Sequence, residues 1–280
     1  MKLLGGRIKY YRRNLGLSQK ELADGICTQA TISLIEKKNK VPSIHILLSV
    51  CERLNVDVND IVMTSRQNEI KRLLINVRQE IVKGDFLQAD KLLMTLKQNK
   101  LSDNMLLKQF FVYSGLLDLM HRCDSDKAIF NFNQALNQHL LEHTPQDVVA
   151  MAGLALAYVQ KDDLEYALTY VQSLQSLLSK SQIKTHLDKE TALFVNYALG
   201  VALFKVGQSA NSKVYVDQGL EIAKSKQTLL FLAIFYGLHA IFETDETEKD
   251  DKMIAKSMAE VVHVNLPRLL FEDKMISEPQ

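Results

Sequence analysis

Residues 15–40 read LGLSQKELADGICTQATISLIEKKNK, and the order of polar, apolar and glycine residues predicts two short helices joined by a tight turn. Ser18 is followed three residues later by Glu21. This is the spacing of a capping box, so a helix is predicted to begin at Ser18. Gly25 falls where that helix ends, because glycine readily adopts the left-handed backbone that often stops a helix.

The second helix of this pair is predicted to begin at Thr28, whose hydroxyl can cap it, and to end at Asn39 in a left-handed conformation. Its apolar residues Ala30, Ile32 and Ile35 are predicted to face the first helix. Small polar residues remain at its front. Two helices joined in this way form a helix-turn-helix, whose second helix enters the DNA major groove and leads with its N-terminal residues.

Three segments, LGLSQKELAD, TQATISLIEKKNKVPS and LLSVCERLNVDVNDI, resemble the lambda-repressor-type helix-turn-helix domain, also called the XRE or Cro/C1 family. The resemblance covers roughly the first 63 residues and implies five helices. Arg12 and Gln19 match positions that contact phosphate. The positions that approach base edges are matched by Gln29, Ala30, Thr31 and Ser33, and the lysines that follow are expected to strengthen contacts to the DNA backbone. In chain order these implied DNA-binding residues are Arg12, Gln19, Thr28, Gln29, Ala30, Thr31, Ser33, Lys37 and Lys38. Many family members have glycine after the glutamate of the third helix, whereas this chain has Lys37.

The other helices of this domain follow from apolar spacing and capping residues. A first helix is predicted over residues 3–14, with an inner stripe formed by Leu4, Ile8, Tyr11 and Leu15. Ser43 can cap a fourth helix that runs to Leu54, and a short fifth helix follows Asp57.

Charge is distributed unevenly along the chain. Residues 1–40 hold nine Lys and Arg against three acidic residues, a net charge of +6, so residues 41–280 must sum to −5 for the whole chain to reach +1. A basic front on an acidic body is typical of a protein that binds nucleic acid through its front domain. No apolar run is long enough for a membrane span, no secretory signal is apparent, and three scattered cysteines predict neither disulfides nor a zinc site.

From Glu69 onward the chain repeats. Ala89, Ala128 and Ala167 recur at intervals of 39 residues, each after a turn rich in Gly or Asp and a long amphipathic helix. The pattern resembles degenerate tetratricopeptide repeats, which stack into a right-handed superhelix with a concave face. The sequence therefore predicts an all-α protein with a helix-turn-helix domain at 1–64 and a repeat domain at 65–280, to which the resemblance described next assigns peptide binding and dimerisation.

This order of domains resembles the peptide-pheromone-responsive regulators of Gram-positive bacteria, the group that includes PlcR, PrgX and Rgg. The resemblance implies a cytosolic, homodimeric transcription regulator, without a cofactor, whose grip on DNA changes when a short imported signalling peptide binds. A peptide in a groove needs partners for its backbone and flat surfaces for its side chains. The candidate peptide-binding residues on the first helices of each pair are Arg78, Gln109, Tyr113, Asn196, Tyr197 and Tyr236.

Two alternatives remain open from the sequence. The string His139-Leu140-Leu141-Glu142-His143 matches the HxxEH motif of zinc peptidases. Such a site also needs a third ligand and an enclosing two-domain fold, whereas this string is predicted to end a repeat helix at the surface, so a non-enzyme without a metal is favoured. The second alternative is a phage-type or housekeeping repressor, in which the repeats serve only for dimerisation or for a protein partner. A polar groove would favour a peptide, and a filled apolar one would favour self-association.

Overall fold

The computed structural model describes residues 2–63, 65–97, 101, 103–138, 143–180, 187–242 and 246–265. The chain divides into two compact units, Met1–Arg72 and Leu73–Gln280. The division falls inside a long helix that begins at Ser65. It lies eight residues beyond the predicted boundary at residue 64.

Among its described residues, the first unit contains five short helices, one pair of two-residue strands and the N-terminal part of a longer helix. The helices are α1 (Gly5–Asn14), α2 (Gln19–Ala23), α3 (Gln29–Lys38), α4 (Ile44–Leu54) and α5 (Val58–Ile61). The strands are β1 (Lys2–Leu3) and β2 (Val62–Met63), which pair antiparallel. The first helix therefore begins at Gly5 rather than at residue 3, because Leu3 pairs with Val62.

The predicted caps form as the sequence indicated. The Ser18 hydroxyl accepts from the Glu21 backbone N–H at 3.1 Å, and a Glu21 carboxylate oxygen accepts from the Ser18 N–H at 2.6 Å. Gly25 has a φ of 67° and Asn39 a φ of 52°, both in the left-handed region. These local contacts fix where α2 and α3 begin and end.

The core of the first unit is apolar, with Ile8, Leu22, Ile32 and Ile35 fully or almost fully buried. The predicted inner position of Leu15 is wrong, since 51% of this residue is exposed just beyond the end of α1.

Gly5 allows α1 to approach α3 closely. A Cβ at this position would lie 1.9 Å from the Ile35 carbonyl oxygen. The Gly5 backbone N–H donates to Asn39 Oδ1 at 2.8 Å, so the residue that ends α3 also fixes the start of α1.

The second unit is built from paired helices. They are α6 (Ser65–Lys83), whose C-terminal part belongs to this unit, α7 (Phe86–Met94), α8 (Asn104–Leu117), α9 (Ser125–Leu136), α10 (Pro145–Gln160), α11 (Leu164–Lys180), α12 (Lys189–Lys205), α13 (Ser209–Lys226), α14 (Leu229–His239) and α15 (Glu246–Val261). A π-helical turn, Asp118–Arg122, continues α8. Within the part of the chain described, α8 packs on α9, α10 on α11, α12 on α13 and α14 on α15.

The 39-residue repeat has a clear structural meaning. Ala89, Ala128 and Ala167 are each the fourth residue of a second helix, and each is fully buried. The aspartates four residues before the first two cap their helices, since Asp85 accepts from the Gln88 N–H and Asp124 from the Lys127 N–H, both at 3.0 Å. The repeated pattern therefore consists of a cap followed by a small packing residue.

Neighbouring pairs approach closely where glycine faces a ring. Phe132 of α9 lies between α8 and α10, and a Cβ at Gly115 or Gly153 would come within 2.7 or 2.3 Å of its ring atoms. Small residues at these positions let α9 pack against both neighbouring helices, as in stacked helical repeats.

Candidate functional site

The N-terminal end of α3 forms the exposed front of the first unit. Thr28, Gln29 and Ala30 are exposed, whereas Ile32 and Ile35 are buried against the rest of the unit. The prediction that Ala30 faces the first helix of the pair is therefore wrong, because Ala30 precedes the buried stripe and points outward. Its exposure agrees with the other role implied for it, an approach to base edges.

The residues at the front of α3 are held in place by their own hydrogen bonds. The Thr31 backbone N–H donates to Thr28 Oγ1 at 3.2 Å, and the two threonine hydroxyls lie 2.9 Å apart. Gln29, Ser33 and Lys37 are spaced by four residues, so they share one face of the helix. This face has the composition and the access that reading of base edges requires.

Exposed cations lie on several elements of the first unit. They are Lys9 and Arg13 on α1, Lys20 on α2, Lys37 and Lys38 on α3, and Lys40 after it. Cations of this kind bind phosphate without regard to sequence and make binding salt-dependent. The structure thus combines a row of uncharged polar side chains with flanking positive charge.

Arg12 is the main correction to the predicted DNA-binding set. Its Nε donates to Glu36 Oε1 at 2.6 Å, its Nη2 to Glu36 Oε2 at 3.0 Å and its Nη1 to the Leu17 carbonyl at 2.6 Å. The residue is only 7% exposed. A phosphate contact does not fit this placement, because the guanidinium binds α1 to α3 inside the unit.

Gln19 joins the same network. Its Nε2 donates to Glu36 Oε2 at 2.8 Å, so this amide orients α2 against α3 while the side chain stays half-exposed. Burial alone would raise the pKa of Glu36, but the hydrogen bonds from Arg12 and Gln19 outweigh it and hold the pKa below its ordinary value. Glu36 is therefore ionised at neutral pH and anchors both partners.

A second site lies within the repeat unit. A partly open cavity of about 130 Å³ is lined by the first helices of successive pairs, namely α6, α8, α10, α12 and α14. Most of its wall is apolar, and Val112, Leu116, Phe194 and Phe231 are among the residues that form it. A few polar side chains lie among them, which is the composition of a ligand pocket.

The polar part of this wall is an ion-pair cluster. Arg78 Nη2 lies 2.5 Å from Asp188 Oδ1 and 3.7 Å from Glu190 Oε2. Burial would raise the pKa of Asp188, but hydrogen bonds from Arg78 and from the Thr191 backbone outweigh it and keep that pKa below its ordinary value. Tyr113 is on the same wall, where burial raises the pKa of its hydroxyl.

Of the six predicted peptide-binding residues, only Arg78 and Tyr113 line this cavity. Gln109 is half-buried elsewhere on α8. Asn196 donates through Nδ2 to the Ala192 carbonyl of its own helix at 2.8 Å. The structure therefore does not bring either amide to the cavity.

The two other tyrosines of the predicted set, Tyr197 and Tyr236, do not line this cavity. Tyr197 is 0% exposed, and burial raises its pKa far above the ordinary value, so it is a core residue that no ligand reaches in this structure. Tyr236 lines a separate, more open cleft with His239 and Asp251, and Lys224 Nζ lies 5.8 Å from the centroid of its ring.

Sequence reasoning missed the acidic partners of Arg78. Asp188 caps α12 by accepting from the Thr191 N–H at 2.8 Å. The order Asp188, Lys189, Glu190, Thr191 before an apolar run is a recognisable helix start, so the cap could have been predicted. Its position opposite Arg78, 110 residues away in sequence, could not.

The HxxEH string falls largely outside the described residues, which omit 139–142. Within the residues that the structure does describe, no group of three or more His, Cys, Asp and Glu is arranged to hold a metal ion, and no helix could cross a membrane.

Comparison with known proteins gave one family match and several similar structures. Residues 8–61 match the family model described as Helix-turn-helix. The chain is similar to the crystal structure of Bacillus thuringiensis PlcR in complex with the peptide PapR7 and DNA, with a TM-score of 0.59 and 18% identity, over 99% of this chain and 100% of that one. The apo form of the same protein matches with a TM-score of 0.53 and 18% identity, over 97% and 99%. No curated protein sequence matched the chain.

These matches establish the fold. The all-α class is confirmed, as is the succession of a helix-turn-helix domain and a body of helical repeats. Residues 8–61 form a helix-turn-helix domain, and the fold of the chain is similar to that of PlcR.

Proposed function

We propose that this protein is a cytosolic, homodimeric transcription regulator that reads duplex DNA through α3 and responds to a short signalling peptide bound by its repeat unit. The observation that carries the DNA part is the exposed front of α3, with Gln29 and Ser33 on one face and lysines at its end. Regulation rather than catalysis is proposed, because residues 8–61 match a helix-turn-helix family and the similar PlcR structure contains DNA.

The peptide part of the proposal is supported by the cavity. It lies on the first helices of the pairs, which line the inner face of stacked repeats. The PlcR structure, which has this fold, contains the peptide PapR7 and DNA. Peptide binding would alter DNA binding by favouring one of two conformations of the dimer, and the sign depends on which conformation the peptide prefers.

The first experiment tests DNA recognition and does not require a known operator sequence. Random duplexes are selected on the full-length protein, and the enriched sequence is then measured by fluorescence anisotropy for wild type and Gln29→Ala. The substitution is expected to relax base preference at one position by about 1–3 kcal/mol, because an amide bidentate to a base edge is lost. An unchanged preference at every position would refute the proposed role of α3.

A matched control separates base reading from charge. Lys37→Ala is expected to weaken binding to all duplexes alike and to reduce the slope of log K against log salt by about one. Since Lys37 lies on the same face of α3 as Gln29 but carries a charge, the pair distinguishes specific from electrostatic contacts. If Lys37→Ala altered base preference and Gln29→Ala did not, the assignment of roles would be reversed.

The alternative is a repressor whose repeats serve only as a scaffold. The cavity wall is mostly apolar, which favours self-association, but it is not filled and has a charged rim, which favours a ligand. Calorimetry with pooled synthetic heptapeptides, with and without the selected duplex, decides between the two. Heat of binding that changes with DNA supports the peptide, and its absence, with a stable dimer by light scattering, supports the scaffold.

A further inference from the structure

The C-terminal end of α2 leads directly into the turn that positions α3. A helix leaves its last carbonyl groups without partners of its own, so the groups that satisfy them help to fix where the chain goes next. Within the turn, the Ala23 carbonyl accepts from the backbone N–H groups of Ile26 and Cys27, both at 2.9 Å. Ile26 and Cys27 also pack against the core of the unit. Thr28, the next residue, caps α3.

Arg53, near the end of α4, binds three further carbonyls at this end of α2. Its Nη1 donates to the Glu21 and Leu22 carbonyls, both at 3.3 Å, and to the Asp24 carbonyl. The C-terminal end of a helix carries partial negative charge, so a guanidinium is favourable there. Arg53 therefore ties the end of α2 to α4, across 29 to 32 residues of sequence.

The charge of Arg53 also acts on the turn itself. Burial raises the pKa of the Cys27 thiol, and the positive charge of Arg53 opposes this rise. The guanidinium is therefore close to the residue that precedes the cap of α3. Gly25 gives the turn no side-chain packing, since a Cβ there would meet nothing within 4 Å among the described residues. The turn is thus held by apolar packing at its α3 end and by Arg53 at its α2 end.

The contacts of Arg53 matter more for the position of α3 than for the stability of the unit. Arg53 is exposed, and hydrogen bonds that water can replace contribute little to the free energy of unfolding. Recognition of a base is more demanding, because hydrogen bonds to its edge weaken steeply when their distance or angle changes. Gln29 is the first residue of α3, so a small movement of the turn displaces its amide.

We propose that Arg53 is a positioning residue for DNA recognition, which holds the end of α2 and the turn so that the Gln29 amide meets its base, and which does not contact the DNA itself. The proposal rests on the proposed function in taking α3 as the helix that reads DNA. Arg12 and Gln19 hold the C-terminal half of α3 through Glu36, whereas Arg53 fixes the segment that leads into its N-terminal end.

The test measures base discrimination by full-length variants on the duplex selected with the wild-type protein. Discrimination is the ratio of Kd values for duplexes that differ only at the base pair whose preference Gln29→Ala relaxes. Arg53→Met, which keeps a long side chain but has no donor, is expected to lower this ratio about fivefold. Arg53→Lys, which keeps the charge and a donor, is expected to restore most of it.

A double-mutant cycle separates positioning from a general loss of stability. In the Gln29→Ala background, Arg53→Met is expected to cause no further loss at that base pair, because both side chains act through the same contact. A merely structural role would lower the affinity for all duplexes alike. Additive effects of the two substitutions would overturn the proposal. If Arg53→Met does not fold, Arg53→Gln, which is too short to reach all three carbonyls, replaces it in the cycle.

Arg13→Met is the matched control, because it removes an exposed arginine of the same unit. It is expected to weaken binding to all duplexes and to reduce the salt dependence of binding, with an unchanged ratio. The same pattern in Arg53→Met would mean that Arg53 contacts phosphate, and it would overturn the positioning role. If the wild type shows no base preference, or Gln29→Ala keeps it in full, the proposed function fails. If Gln29→Ala loses the preference and Arg53→Met keeps it, only the assignment of Arg53 fails.

Discussion

Two arginine–carboxylate pairs, one in each unit, have the same chemistry and nearly the same length but different surroundings. Arg12 Nε and Glu36 Oε1 are 2.6 Å apart with the side chains 9% and 1% exposed, whereas Arg78 and Asp188 are 2.5 Å apart with 36% and 45% exposed. A buried charge that loses its partner is costly, while a half-exposed one is readily solvated by water. The first pair therefore fixes the arrangement of α1 and α3, whereas loss of the second is expected to cost little stability.

Loss of Arg12 is expected to give the largest effect. Arg12→Ala leaves the Glu36 carboxylate buried with Gln19 as its remaining side-chain donor, and the first unit should lose about 3–5 kcal/mol of stability. Hydrogen exchange of α1 and α3 amides, followed by mass spectrometry, measures this loss where it occurs. Arg13→Ala, an exposed neighbour, should change exchange little. Equal effects of the two substitutions would contradict the structural role of Arg12.

A buried ion pair in the second unit tests whether the stability lost with one partner depends on burial or on the unit in which the pair lies. Lys108 Nζ lies 2.6 Å from Asp147 Oδ1, with side chains 2% and 6% exposed. Lys108→Met should cost about 2 kcal/mol, less than the loss expected for Arg12→Ala, because Thr144 still donates to Asp147 through its N–H and its hydroxyl. Urea unfolding monitored by circular dichroism gives the value. If Lys108→Met lowered the free energy of unfolding by less than Asp188→Asn does, burial would not determine which of these ion pairs contributes more to stability.

Interactions between residues close in sequence could be predicted from the sequence, whereas interactions between distant residues could not. Ser18, Thr28 and Asn39 act on backbone groups within a few residues, so their roles could be predicted from spacing alone. Arg12 could not be assigned correctly, because its partner Glu36 is 24 residues away and an arginine on a short helix is equally consistent with a phosphate contact.

In the repeat unit, a different feature limits what can be predicted from the sequence. Twelve residues of α12 are buried, on all sides of the helix, so its apolar periodicity does not distinguish the side that faces the cavity from the side that faces its partner helix. Tyr197 was therefore predicted on the wrong side, and Phe194, three residues earlier, forms the wall instead. The repeat spacing predicted the packing alanines, but the identity of the cavity residues depends on helices far apart in sequence.

The smallest expected effect belongs to the half-exposed pair. Asp188→Asn should lower the stability of the repeat unit by at most about 1 kcal/mol at neutral pH, since the cap on α12 is retained and the lost ion pair is partly solvated. The Asp188 pKa is lowered in the folded protein, so its contribution is complete above the ordinary aspartate pKa of about 3.9 and is lost as pH falls through the folded value. The difference between wild type and variant, measured by urea unfolding from neutral to acidic pH, should therefore shrink towards zero in acid. A difference that stays constant with pH would mean that the variant acts through the cap rather than the charge. A cost as large as that of Arg12→Ala would remove the contrast between a buried pair and a half-exposed one.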